Sequence, residues 1–196
     1  MKYRESGMPQ ESLWSSFFDV SQTLEIMNIS KDTRVLIDIG CGYGTFLLPI
    51  ANYINGIAVG IDIDAEMIKS CKEKAISKNI KKIELIQGDI TDKAVLNFLE
   101  KYRQKIDYIS LFNILHCEEP VELLKTIYNI LNTDGKIGII HWKYEETPRG
   151  PSMEIRPQPE KIIEWAIKAG FVVTQQVELL PYHYGIVFTK PRKEEF

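Results

Sequence analysis

Cysteine is scarce in this chain. Cys41, Cys71 and Cys117 are odd in number, far apart and never in a Cys-x-x-Cys pairing, which excludes a disulfide framework and a cysteine-based metal centre. Histidine is as sparse, and His116, His141 and His183 draw no metal-ligand spacing. An excess of either charge is also missing. The 24 Lys plus Arg against 27 Asp plus Glu leave a net charge of −3, without the basic surplus of a phosphate-backbone binder, so no nucleic-acid partner is expected. No run reaches the roughly 18 apolar residues of a membrane span, and the opening MKYRESGMPQES lacks the apolar core of a signal peptide. The expectation is a cytoplasmic protein with no membrane partner. Internal repeats and low-complexity segments are absent.

What is present is ordinary for a folded domain. The 196 residues, 44% hydrophobic and 26% charged, suit one domain over 1–196 with enough apolar material for a core. From residue 35 onward, short β-branched runs alternate with longer amphipathic stretches, the pattern of successive βα units around a mostly parallel sheet. Strands are predicted at 35–39, 57–63, 83–87, 106–112 and 136–141, apolar nearly throughout, as strands covered on both faces should be. Asp64 is positioned to cap a helix carrying Ala65, Ile68, Cys71 and Ala75, Thr91 to cap another, and Pro120 to open a third. Asp134-Gly135 supplies the turn into the fifth strand.

Residues 143–159 hold Pro148, Pro151, Pro157 and Pro159 and read as a long, stiffened loop, an active-site insertion. Pro159 then opens a helix ending at Gly170, followed by strands at 171–179 and 184–189, whose connection is too short for a crossover and makes them antiparallel. Ahead of the first strand, a helix over 11–28 with Leu13, Phe17, Leu24 and Met27 on one face forms an N-terminal cap over 1–30, either packing or a substrate lid.

The strongest signal is Asp38-Ile39-Gly40-Cys41-Gly42-Tyr43-Gly44, a buried strand running into alternate glycines before a helix. Glycine serves there because the chain turns sharply and a ligand approaches the backbone closely. Asp62 ends the second strand, where a carboxylate can accept both hydroxyls of a ribose, and Asp89 follows the third. Three acidic groups at neighbouring strand ends suit a nucleoside better than a polyphosphate, which they would repel, and this disfavours a dinucleotide. Asp38 suits a cationic or amine-bearing ligand.

These motifs, with Gly88-Asp89-Ile90 and Ile106-Asp107-Tyr108 leading to Phe112-Asn113, resemble in order those of class I S-adenosylmethionine-dependent methyltransferases over roughly residues 30–190. The resemblance implies an α/β Rossmann-like fold: a seven-stranded, mostly parallel sheet with an antiparallel last strand and helices on both faces. It implies S-adenosylmethionine as cofactor, with the Gly40, Cys41, Gly42 and Gly44 backbone along its methionyl part and Asp38 orienting that loop. It also implies Asp62 on the ribose, Ile63 against the adenine, Asp89 and the Ile90 N–H on the adenine edge, and Asn113 near the methionyl end. Leu111-Phe112-Asn113-Ile114-Leu115 matches neither the Asn/Asp-Pro-Pro-aromatic run of amino-methylating DNA enzymes nor the Pro-Cys of cytosine C5 enzymes. Arsenite methylators need several thiols, and only Cys117 is well placed. The segment from His141 to Pro157 resembles a subset of small bacterial methyltransferases.

A small-molecule acceptor is therefore expected, and the pattern leaves monomer and homodimer open. Methyl transfer needs a base only when the acceptor must lose a proton. His116 and His141, near the ends of the fourth and fifth strands, are the candidates for it; each is alternatively a structural hydrogen bonder. Arg149 and Arg156 are positioned to hold an acidic substrate or the cofactor's own carboxylate, or to pair with Glu145, Glu146 or Glu154. Trp14, with Phe17, Phe18, Tyr43 and Trp142, is a candidate for an apolar substrate lining. Two rival readings are an NAD-dependent oxidoreductase and an S-adenosylmethionine-binding protein without catalysis.

Overall fold

The computed structural model describes residues 10–192; residues 1–9 of the expected cap and 193–196 lie outside the described residues. Five parallel strands, β1 (Val35–Ile39), β2 (Ile57–Asp62), β3 (Ile83–Gln87), β4 (Ile106–Phe112) and β5 (Lys136–Trp142), are joined by β6 (Val172–Leu179) and β7 (His183–Thr189). The sheet order is β3-β2-β1-β4-β5-β7-β6, with β7 antiparallel to both of its neighbours. The expected sheet is the observed one, and the predicted strand limits differ from the observed ones by at most a residue. Between them run α3 (Leu47–Tyr53), α4 (Ala65–Ser77), α5 (Lys93–Leu99), α6 (Pro120–Ile130) and α7 (Pro159–Lys168), while α1 (Glu11–Ser16) and α2 (Val20–Ile26) precede β1. Among the described residues no helix is long and apolar enough to cross a membrane.

Strand periodicity sorts the interior into two layers. Val35, Ile37 and Ile39 of β1 face α5, α6 and α7, with Val95, Leu124 and Ile162. Leu36 faces the opposite layer, with Leu24, Leu47, Ile50 and Cys71 of α2, α3 and α4. β6 is an edge strand and alternates exposed with half-buried residues, as one covered face requires.

The N-terminal cap departs from the single helix expected over 11–28. Asp19 has an extended backbone and its carboxylate accepts the Gln22 N–H at 3.0 Å, so it ends one helix and caps the next. The break rotates the first segment: Leu13 is 41% exposed, while Trp14 and Phe17 are buried. Thr91 is not a cap either. Its hydroxyl and its N–H both donate to Asp89 Oδ1, at 2.7 and 2.8 Å, and α5 starts after Asp92. The cap is tied to the sheet by Tyr108, whose hydroxyl donates to the Met27 carbonyl at 2.7 Å. Gly138 on β5 makes that possible, since a Cβ there would lie 1.9 Å from the Tyr108 hydroxyl.

His183 is fully buried beside Trp142 and Phe18, with ring centroids 4.2 and 4.5 Å away, and neither ring nitrogen has a hydrogen-bond partner. Burial first, then the charges of Arg156 and Lys143, push its pKa down to about 3. The unfolded chain therefore takes up a proton below about pH 6.5 that the folded one refuses, and stability falls with acid. We expect wild type to lose stability relative to His183→Phe between pH 6.5 and 4, by up to about tenfold in the unfolding constant per pH unit. Parallel denaturation curves for the two proteins would argue against a neutral, buried His183.

Candidate active site

The order β2-β1-β4 places the switch in chain direction between β1 and β4, where an open α/β sheet forms its ligand crevice. A cavity of about 340 Å³ lies there, running from Gly88 and Ile90 after β3, across the ends of β2, β1 and β4, to Trp142 on β5. Its floor is the turn after β1. Gly40, Gly42 and Gly44 have φ of +74°, +51° and +79°, a region costly for residues with a Cβ, and the Gly40 N–H donates to the Ile61 carbonyl at 2.8 Å.

Asp62 braces that turn. Its Oδ2 accepts the Gly42 N–H at 2.8 Å and its Oδ1 the Asp64 N–H at 3.0 Å. Burial raises its pKa, and these backbone donors oppose the rise. Asp38 lies deeper, 3% exposed, and its Oδ1 accepts the Ser110 hydroxyl at 2.6 Å. Burial pushes Asp38 up to about 7, against the Ser110 hydrogen bond and helped by the nearby charge of Asp62. Asp64 accepts the Glu66 N–H at 2.8 Å and caps α4, as its position suggested. Cys41 lines the cavity, but its thiol is hydrogen-bonded to Cys71 of α4 and, with burial, its pKa is pushed far up, which keeps it out of thiolate chemistry.

The remaining expected residues divide. Ile63, 45% exposed, Ile90 and Asn113 line the cavity; Asp89 does not, although Gly88 and Ile90 on either side of it do. Asn113 has φ +61°, and both polar atoms of its buried amide lack a hydrogen-bond partner. His116 and Trp14 line the cavity; His141 does not. The reason is strand alternation: Ile140 and Trp142 face the α2–α3–α4 layer, so His141 between them points to the other face. There its ring lies 5.7 Å from that of His116, and burial holds its pKa well below the usual imidazole value.

The loop arginines differ from expectation. Arg149 is exposed and away from the cavity. Arg156 is buried and pairs with no carboxylate among the described residues: its guanidinium donates to the carbonyls of Pro151, Lys143 and Glu145 and to the Thr147 hydroxyl at 2.8–3.1 Å. It organises the loop instead of presenting a cation. No residue of 143–159 lines the cavity; the loop backs Trp142, on which Gly150 packs. Sequence reasoning missed Ser110, Met67 and Phe46. Ser110 had a signal, a hydroxyl between the apolar Ile109 and Leu111 of β4 and on the same face as Phe112.

These residues fit S-adenosylmethionine: an unpartnered amide at Asn113, an exposed apolar side chain at Ile63, and a buried and a half-buried carboxylate, Asp38 and Asp62, beside an open glycine backbone.

Comparison with known proteins agrees. The family described as a methyltransferase domain matches residues 29–170. Demethylmenaquinone methyltransferase of Lactobacillus johnsonii is 28% identical over 116 residues, covering 57% of this chain and 45% of that protein. The chain spans about half the length of the curated relatives it matches. A solved S-adenosylmethionine-dependent methyltransferase from Aquifex aeolicus superposes with a TM-score of 0.80 at 22% identity, covering 92% of this chain and 94% of that one. The [4+2]-cyclase SpnF superposes at 0.74 with 14% identity, covering 96% and 85%, so the fold also carries other chemistry. With its family matched over most of its length and its crevice shaped for that cofactor, the chain belongs to the class I S-adenosylmethionine-dependent methyltransferases.

Proposed function

We propose that this protein moves the methyl group of S-adenosylmethionine to a small molecule. The observation that carries the reading is the continuity of one cavity, acidic and glycine-walled across β1 and β2 and aromatic toward β4 and β5. S-adenosylmethionine supplies an electrophilic sulfonium methyl, and S-adenosylhomocysteine leaves in the in-line displacement. The protein's own part is to hold, orient and exclude water. Asp62 is assigned to the ribose hydroxyls, Ile63 and Met67 to the adenine face, and Asp89 with the Ile90 N–H to the adenine edge. The glycine backbone, Asp38 and Asn113 are assigned to the methionyl part.

His116, at the cavity wall after β4, is the group positioned to take a proton from the acceptor, with His141 packed behind it. The likeness to a cyclase supports a second reading, in which the bound cofactor is structural and no methyl moves. Release of S-adenosylhomocysteine during an acceptor screen separates the two. The NAD reading is set aside, because the family is one of methyltransferases and three carboxylates would face a pyrophosphate.

Asp62→Ala removes a hydrogen-bonded carboxylate and should weaken S-adenosylmethionine binding by about 1.5 to 3 kcal/mol in calorimetry; unchanged affinity would refute the ribose assignment. Because Asp38 holds a proton below about pH 7 and a cationic ligand prefers it ionised, affinity should rise from pH 6 to 7 and level above, with proton release on binding. Ser110→Ala, by removing the hydrogen bond that lowers the Asp38 pKa, should move that midpoint upward; a flat profile in both proteins counts against the coupling. With an acceptor in hand, His116→Ala should lower kcat about 10²- to 10⁴-fold and leave cofactor affinity unchanged. If it turns over like wild type, no base acts there.

A further inference from the structure

The β4–β5 end of the cavity is walled by Trp14 from α1, Phe46 before α3, Phe112, Ile114 and Trp142. The rings are braced edge-to-face or tilted: Phe46 against Phe112 with centroids 4.8 Å apart at 73°, Trp14 against Trp142 at 6.1 Å. Among the described residues no lysine or arginine lines the cavity, and its charged members, Asp38, Asp62 and Asp64, all lie toward β1 and β2. The cation behind Trp142 is Arg156, 5.9 Å from the ring and engaged by the carbonyls of its own loop. Lys74, beside the glycine turn, is held by Glu11 of α1 and the Tyr43 carbonyl.

A carboxylate or phosphate on the acceptor would enter this apolar end without a counter-charge and in the field of three carboxylates. An ammonium, though attracted by aromatic faces, would give up its water there beside a donor that is itself a cation, and that like charge opposes it. A neutral flat ring meets neither penalty and matches edge-to-face aromatic walls.

We infer that the space among Trp14, Phe46, Phe112 and Trp142 is a binding subsite for an uncharged, ring-bearing acceptor, shut off from water by Trp14 on α1. The inference rests on the methyl-transfer reading above and names its substrate class. His116 is a polar group at the wall of this subsite that the acceptor's nucleophilic atom would face.

The test is calorimetric and needs no turnover. The protein is saturated with S-adenosylhomocysteine and titrated with three probes sharing one ring: 2-naphthol, 6-hydroxy-2-naphthoate and 2-naphthylmethylammonium. The neutral probe should bind at least about tenfold more tightly than either charged one, each 1.4 kcal/mol of penalty being a factor of ten. Trp14→Ala should weaken 2-naphthol by a similar factor and Trp14→Phe restore most of it, while melting temperature and S-adenosylhomocysteine affinity report that the fold and the donor side are intact. Equal or tighter binding of a charged probe, or indifference of 2-naphthol to Trp14→Ala, overturns the subsite. Failure of S-adenosylhomocysteine itself to bind overturns the methyl-transfer reading and this inference with it, and the first titration distinguishes the two failures.

Discussion

The carboxylate of Asp62 bonds two backbone N–H groups, those of Gly42 and Asp64, and so joins the end of β2 to the glycine turn that follows β1. Beneath that turn Asp38 is buried against Ser110, and the charge of Asp62 raises its pKa further. Two acids in a partly dry crevice repel one another when both are ionised, and a cation laid across them relieves the repulsion. The glycine turn, whose conformation excludes most side chains, keeps backbone in reach of that ligand. The β1–β2 side of the cavity thus follows from one electrostatic tension held by one turn.

The other side of the site is built differently. Trp142 ends β5, Phe112 ends β4, and Trp14 arrives from a helix of six residues whose direction is set by the Asp19 break. The prolines of 143–159 and the Arg156 guanidinium stiffen a loop that never reaches the cavity but presses Gly150 on Trp142 from behind. Rigidity of an aromatic wall is obtained by packing against it, and the arginine serves that packing. A cyclase shares this fold, so the sheet by itself does not fix the chemistry.

The same packing carries a cost. His183 and His141 are buried neutral behind the aromatic wall, and Asp38, which lines the cavity, is pushed up to about 7, so three titratable groups have been moved away from their solution behaviour. Such displaced groups cluster at functional sites because shaping a pocket and desolvating its walls are one act.

Apolar or β-branched runs bounded by turn residues settled the seven strands to within a residue, because inner strands covered on both faces are largely apolar and the edge strand β6 keeps the alternation of one covered face. The order of acidic and glycine motifs indicated the donor side, because each lies at a strand's carboxyl end and the βα connectivity brings those ends together. Local chemistry erred where a side chain had two partners to choose from. Asp19 capped a new helix instead of continuing an old one, Thr91 served Asp89 instead of α5, and Arg156 served carbonyls instead of a carboxylate. The amino-acid order by itself determined the sheet, the glycine turn and the acids beside it, which depend on period and on neighbours near in sequence. Only the tertiary structure decided that His116 lines the cavity while His141 turns away, that Ser110 meets Asp38, and that Trp14 lines the far end. Those contacts join residues from different strands and helices, and their geometry exists only once the sheet has paired and twisted.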